Sequence, residues 1–388
     1  MSKKIIRAVK IRLLPTVEQE KLFWRSAGTA RWAYNYFLAE NLRIYEQYIL
    51  NGRTGAYCAN ESEVRKYINN VLKKTTHIWL NDIGSNVVKQ AIKDAGKALK
   101  DFFSGFSGRP RFKSKHKAKI SFYVNYERLS RKGNFFQGEK LGVVKMMNAL
   151  PKIPKGKKYI NPHISYDGKY WYLSVGYEVM CVNESLGKEC LGIDLGIKNL
   201  AVVANRDASY VKVYENINKS RKVKLLECRL KREQRRLERK FKAKEKAKSK
   251  NIEKQNRKIR SIYKHITDIR KNYVHQITAE LVKTKPGRIV LENLNVSGMM
   301  RNKYLSKDIA SQNFAEFKRQ ILYKAEAIGI EVVEADRFFA SSKKCSGCGC
   351  IKKHLRLGER VYKCELCGYV IDRDLNAAIN LANYCKEK

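Results

Sequence analysis

Alternation of apolar and polar positions sets the first boundary. Residues 4–14, KIIRAVKIRLL, put Ile5, Val9, Ile11 and Leu13 on one face of a strand that Pro15 ends. Thr16 and Gln19 have the spacing of a capping box, and from there to about residue 106 the apolar spacing turns helical. Trp32, Tyr36, Phe37 and Leu38 form one such set, and Val88, Ile92, Ala95 and Leu99 another. The frequent aromatics here (Trp24, Trp32, Tyr34, Tyr36, Tyr45, Tyr48) are read first as core. Period-2 runs then return in ISFYV, FFQGEKLGVVKM and HISYDGKYWYLSV. In the last, Asp167-Gly168 makes the turn, and Trp171, Leu173, Val175 and Tyr177 share a face. These patterns predict a β-barrel split over 1–14 and 112–187, interrupted by a helical domain over 15–111.

The second half changes pattern. Leu191–Asn205, LGIDLGIKNLAVVAN, reads as two strands of a hairpin around Gly196, with Asp194 between Ile193 and Leu195. A carboxylate inside a strand is costly to desolvate unless a positive charge meets it. Asp194 is therefore either a turn-forming residue near Gly196 or a metal-binding carboxylate. SYVKVYE gives a third strand. Residues 216–285 lack Gly and Pro and predict a basic helical hairpin with a break near KAKEKAKSKN. After Pro286-Gly287, Arg288–Leu294 reads as a strand carrying Glu292 near its end. An amphipathic helix follows through Ala310, Phe314, Phe317, Ile321, Ala325 and Ile328, then a strand, GIEVVEAD, ending at Asp336. Strand meander, helix, strand, helix, strand is the order of an RNase H-like α/β core, expected over 188–338 and 370–388.

Charge narrows the partners. The 388-residue chain is 44% hydrophobic, enough for several cores, yet carries 81 Lys+Arg against 37 Asp+Glu, a net +44. Such self-repulsion calls for a polyanion. No apolar run is long enough to span a bilayer, and MSKKIIRAVKIRLLP has no signal-peptide core. The expectation is a cytoplasmic, nucleoid-associated protein that binds nucleic acid, with steep salt dependence. In RPRFKSKHKAK every odd position is basic: Arg109, Arg111, Lys113, Lys115, Lys117 and Lys119. Extended backbone would set them about 6.6 Å apart on one side, suited to a row of phosphates. A solvated charge run is the plainer alternative.

Of the 10 cysteines, Cys58, Cys181, Cys190, Cys228 and Cys385 are scattered, and the rest crowd into 345–367. Cys345-x2-Cys348 and Cys364-x2-Cys367 have the spacing of a zinc knuckle. Cys350 and His354 compete as ligands. Four thiolates leave no open position, so one zinc ion there is expected to be structural, ordering a nucleic-acid-binding insert over 339–369. Lys343, Lys344, Lys352, Lys353 and Arg356 surround it. The other set is Asp194, Glu292 and one of Asp372 or Asp374. Phosphodiester cleavage by two Mg²⁺ ions about 3.5–4 Å apart needs several carboxylates converging on one spot. Singly, Glu292 could be a strand-end charge and Asp374 a helix N-cap.

GIDLGIKNLAVV, IVLENL and DRFFASSKKCSGCGC…YKCELCGYVIDRDLNAAINLAN together resemble the split RuvC nuclease of the TnpB (OrfB) family of insertion sequences, relatives of type V CRISPR effectors. KIRLLPTVEQEKL and GRPRFKSK match that family's opening pattern, so the likeness covers most of the chain. The resemblance implies that Asp194, Glu292 and Asp374 are the metal-binding acids, Asp374 being preferred because it lies two residues before Asn-Ala-Ala. It also implies a barrel-shaped wedge domain, a helical recognition domain and a zinc ribbon inserted before the last acid. The implied activity is an RNA-guided DNA endonuclease that uses a guide from the transposon end and cuts double-stranded target DNA beside a short motif, one protein per guide. A transposase with the same acids, or a nuclease-dead RNA-guided regulator, is the alternative.

Overall fold

The computed structural model describes residues 4–384 except 56, 116–117, 126–129, 155, 182–184, 244–248 and 357. Lys117 and Cys385 therefore lie outside the described residues. The chain divides into two compact units, one of Ile6–Val179 and one of Met180–Lys388 with Met1–Ile5.

The first unit is a seven-stranded sheet with helices packed on it. Its strands are β1 (Lys4–Leu14), β2 (Ser121–Tyr123), β3 (Ser130–Lys132), β4 (Phe135–Gly138), β5 (Gly142–Met146), β6 (Ile160–Tyr166) and β7 (Trp171–Met180), in the order β2-β6-β7-β1-β5-β4-β3. The barrel expected from the sequence takes the form of a half-barrel sheet, whose end strands are not paired with each other among the described residues. Its end strands, β2 and β3, have three residues each, which is little backbone with which to close a ring. The β6–β7 turn forms as expected: Asp167 Oδ1 accepts from the backbone N–H groups of Lys169 and Tyr170, and Gly168 takes φ +98°.

The helices of this unit are α1 (Val17–Leu50), α2 (Glu61–Tyr67) and α3 (Ser85–Phe103). Thr16 and Gln19 close the capping box reciprocally at 3.3 and 3.0 Å. At 34 residues, α1 serves two cores. Phe23 and Ala27 pack with sheet residues Phe122, Phe136 and Leu173. Further along the same helix, Ala33, Tyr34, Phe37 and Leu38 pack with Val88, Ile92, Ala95 and Leu99 of α3. The helical stretch and the sheet therefore share an element instead of folding apart.

In the second unit five strands, β8 (Cys190–Leu195), β9 (Asn199–Ala204), β10 (Val211–Glu215), β11 (Arg288–Leu291) and β12 (Glu331–Glu334), lie in the order β10-β9-β8-β11-β12. The first three form an antiparallel meander, and β11 runs parallel to both β8 and β12. Between β10 and β11 comes the helical hairpin α4 (Arg221–Lys242) and α5 (Lys250–Lys283). Its basic side chains cover a small core of Val223, Leu230, Ile259, Ile262 and Ile266. The far half of α5, with Val274, Ile277 and Leu281, lies on the sheet.

The amphipathic helix expected after β11 is broken. A short α6 (Val296–Met299) precedes α7 (Ser306–Gln312) and α8 (Phe314–Glu326), which are separated by Asn313 in the left-handed region at φ +55°. Asn tolerates that conformation better than most residues, and the interruption shifts the helical phase. Phe314, Phe317, Ile321 and Ala325 are buried as expected, but upstream of the break Ile309 takes the core position and Ala310 is exposed.

Candidate functional site: three carboxylates and a cysteine cluster

Strand parity decides what Asp194 faces. Leu191, Ile193 and Leu195 point into the core beneath α5 and α8, so Cys190, Gly192 and Asp194 point to the opposite face. On β11, Ile289 and Leu291 join the same core, while Val290 packs with Cys190 and Leu381 on the other side. The parallel register pairs Val290 with Gly192. Continued by two residues, it puts Glu292 level with Asp194 on that second face, just past the last residue of β11.

That face is covered by α9 (Arg373–Ala382). Its buried Ala377, Ala378 and Ala382 allow a close approach, and Gly192 completes it. A Cβ at Gly192 would lie 2.0 Å from the Ala378 carbonyl oxygen and 2.3 Å from the Ala382 nitrogen, inside any allowed contact. Helix and strand thus meet backbone to backbone, which brings the first turn of α9 to Asp194.

The choice between Asp372 and Asp374 follows from the cap. Asp372, not Asp374, is the N-cap: its Oδ1 accepts from the N–H groups of Asp374 and Leu375 at 2.9 and 3.1 Å. Asp374 is left with a carboxylate only 15% exposed, and it is among the charges acting on Asp194. Desolvation pushes the Asp194 carboxyl well above its ordinary 3.8, and the negative charges of Glu292 and Asp374 push it further. Glu292 is raised by burial too, partly offset by its hydrogen bond with Asp194. Desolvation and the neighbouring negative charges thus both favour the neutral form of Asp194, the usual response of a buried acid beside other acids. Arg373 Nε and Arg360 Nη1 stand 3.7 and 4.0 Å from Asp374 Oδ1. Neither arginine was singled out by the sequence pattern.

The cysteine cluster lies between β12 and α9, closed by the hairpin β13 (Val361–Lys363) and β14 (Val370–Asp372). Cys345 Sγ is 3.8 Å from Cys367 Sγ, and Cys348 Sγ is 3.6 Å from Cys364 Sγ. Four sulfurs at about 2.3 Å from a central zinc in a tetrahedron would be about 3.8 Å apart, so the set fits that ion as it stands. The backbone N–H of Cys367, and then that of Leu366, favour the thiolate of Cys364 and lower it to about 6. Cys350 is not in the set. Its carbonyl accepts from the Cys345 N–H at 2.8 Å, so it shapes the knuckle through its backbone, and His354 is exposed.

Among the described residues, these cysteines are the one group of three or more His, Cys, Asp or Glu whose ligand atoms all lie within 4.8 Å of one another. The three carboxylates are spread more widely than a single ion would gather. Two ions about 3.5–4 Å apart span a wider set, and hard oxygen ligands are what Mg²⁺ takes.

The cluster and the carboxylates are tied together by asparagines that the sequence reading passed over. Asn376 donates to the Lys344 carbonyl at 2.7 Å and accepts from the Ser346 N–H at 2.9 Å. Asn380 donates to Ser341 and Lys344 carbonyls at 2.8 and 2.6 Å. Two asparagines four apart in an otherwise apolar helix were the available signal.

The basic tract of the other unit is coil, not strand. Arg109, Arg111, Lys115 and Lys119 are exposed. Lys113 leaves the row: its ammonium sits 3.4 Å from the Tyr34 ring centroid, and its backbone is held by Asn35. No described helix is long and apolar enough to cross a membrane.

Comparison with known proteins covers nearly all of the chain. Family models match residues 1–49 ("Helix-turn-helix domain"), 174–303 of OrfB_IS605 ("Probable transposase") and 314–381 ("Cas12f1-like, TNB domain"). The first matched stretch folds here as β1 followed by the uninterrupted α1. A Streptomyces pristinaespiralis protein named "Putative RNA-guided DNA endonuclease" is 29% identical over 98% of this chain and 90% of its own length. InsQ of Escherichia coli K12, with the same description, is 28% identical over 97% and 92%. The solved Cas12f1 from a complex with sgRNA and target DNA has the same fold, with TM-score 0.58 at 15% identity over 98% of this chain and 99% of that one.

Proposed function

The chain belongs to the TnpB (OrfB) family, and on that premise we propose that it is an RNA-guided DNA endonuclease with a single RuvC site at Asp194, Glu292 and Asp374. The observation that carries this reading is that Asp194 on a strand lies close enough to Glu292 at a strand end and Asp374 on a helix, far apart in the chain, to feel the charge of both. The sheet order 3-2-1-4-5, antiparallel then parallel, is that expected of an RNase H-like core.

Two Mg²⁺ ions, when bound, would supply the Lewis acidity that activates water and stabilises the leaving oxygen. Asp194, whose carboxyl feels both Glu292 and Asp374, would be a ligand to those ions in its ionised form. Glu292 and Asp374 flank it, and Arg373 and Arg360 fix the Asp374 carboxylate and draw the substrate's phosphate toward it. The cysteine cluster holds one structural zinc and, through Asn376 and Asn380, braces the helix that carries Asp374.

Partners follow from charge and family. Guide RNA and target DNA neutralise the basic coil and the α4–α5 hairpin, as polyanions do on cationic surfaces. The first unit supplies the wedge and recognition functions and reads the short motif, while base pairing reads the target. One protein per guide is the proposed particle.

The test is plasmid cleavage by the purified ribonucleoprotein in Mg²⁺, wild type against Asp194→Ala. Cutting by the wild type alone supports the reading, and full cutting by the variant refutes the site. Strand-transfer products without RNA would make the chain a transposase instead. Target binding by the wild type without cleavage at saturating Mg²⁺ would make it a regulator.

A further inference from the structure

A cavity of about 510 Å³ opens beside the basic coil 109–113, within the range of sites that take small organic ligands. We propose that it binds one unpaired base of single-stranded RNA, with the adjoining phosphates on Arg109 and Arg111. This site is separate from the three carboxylates and does not depend on their role.

Each wall has a reason to be where it is. Tyr45 and Tyr57 both lean on Tyr48, with centroids 6.4 and 5.2 Å from it and planes 18° and 36° away. Their rings are therefore held in place before any ligand arrives. The opposite wall is the coil itself. Asn35 clamps it by accepting from the Lys113 N–H at 2.8 Å and donating to the Lys113 carbonyl at 2.9 Å, and Lys113 is seated on Tyr34. So pinned, the coil presents Phe112, 56% exposed, to the cavity instead of packing it, and Phe103 beside it is 42% exposed. Asn41 lines the cavity and is 5% exposed. Its Oδ1 accepts from the Ala59 N–H at 2.7 Å, which leaves the Nδ2 donors for the acceptor edge of a base.

Flat aromatic walls, a donor at depth and guanidinium groups at the mouth match a nucleotide. An apolar ligand would have no use for the guanidinium groups, and a free phosphate none for the rings. Duplex DNA keeps its bases stacked and paired, whereas RNA loops and ends splay bases onto aromatic and guanidinium planes.

The experiment uses the full chain, a short mixed-sequence single-stranded RNA and its all-deoxy counterpart. Ultraviolet crosslinking followed by peptide mapping is expected to join RNA to the segments holding Tyr45, Tyr57 or Phe103–Phe112. Phe112→Ala is expected to weaken RNA binding roughly 5- to 100-fold, the effect of one stacked base, with the salt slope unchanged and recovery in Phe112→Trp. Arg111→Ala should lower the slope by about 0.7. Phe103→Ala, at a second half-exposed ring, should repeat the Phe112→Ala loss if the pocket and not one residue is responsible. Wild-type affinity in both ring variants overturns the proposal, as does crosslinking of these segments to the deoxy strand alone.

Discussion

The cysteine cluster and the carboxylate trio are both sets of side chains of metal-ligating type, and they differ in nearly every other respect. The cysteines come from one short stretch, sit 3.6–3.8 Å apart in pairs across the knuckle, and close on themselves. The acids come from three separated stretches of the second unit and stand wider apart, and desolvation, with Glu292 and Asp374, raises the proton affinity of Asp194. A closed set of soft ligands has no room for a substrate and acts as a staple. An open set of hard ligands, kept desolvated by a sheet and a helix, carries charge repulsion that a proton or a cation relieves. Ligand spacing thus separates a compact thiolate set from a wider carboxylate set before any ion is placed.

The largest effect that would sharpen this contrast is on chemistry alone. Asp194→Ala should lower plasmid cleavage by at least about 10³-fold, since several kcal/mol of metal-derived stabilisation is lost, with zinc content and RNA binding unchanged. Gly192→Ala touches no acid, but its methyl cannot coexist with the α9 backbone. Displacing Asp374 by about 1 Å is expected to cost on the order of 10²-fold in cleavage, while Zn²⁺ stays bound. Cys364→Ser crosses the divide: metal analysis should show zinc lost, limited proteolysis should open 345–367, and cleavage should fall roughly tenfold through the loosened Asn376 and Asn380 contacts.

The smallest effect concerns stability. Because the folded state raises the proton affinity of Asp194 above its unfolded value of 3.8, the folded chain holds the extra proton in the window between the two. Stability of the metal-free protein therefore falls as pH rises through that window. Asp194→Asn removes the titration. At pH 7 without Mg²⁺ it should melt about 2–4 °C above wild type, on the order of 1 kcal/mol, and Mg²⁺ should raise only the wild-type midpoint. A variant that melts lower than wild type under those conditions would mean the repulsion is not there.

How much was legible varied with the range of the interaction. The zinc set could be read from spacing because its ligands are neighbours in sequence. Asp194 and Glu292 stood out because each breaks or ends an apolar run. Asp374 could be told from Asp372 only by family resemblance, since the cap that occupies Asp372 is a three-dimensional fact. The break at Asn313 was hidden because a left-handed residue leaves the apolar spacing almost intact on either side. The barrel was legible as a half-barrel sheet, and its degree of closure was not, because strand patterns do not reveal whether the last strands are long enough to meet. The basic row was read as extended because alternation of charge mimics alternation of burial. Asn35 and Tyr34, distant in sequence, pull Lys113 out of it.

The contact of Gly192 with α9 also bears on biosynthesis. A ribosome delivers β8, the long helical hairpin and β11 well before it delivers Arg373–Ala382. Until then one side of the sheet, including Cys190 and Val290, lacks α9 as its cover and Asp194 lacks its second companion. The three-acid set is thus absent from every copy that lacks α9, and on the proposed function no incomplete chain would cut.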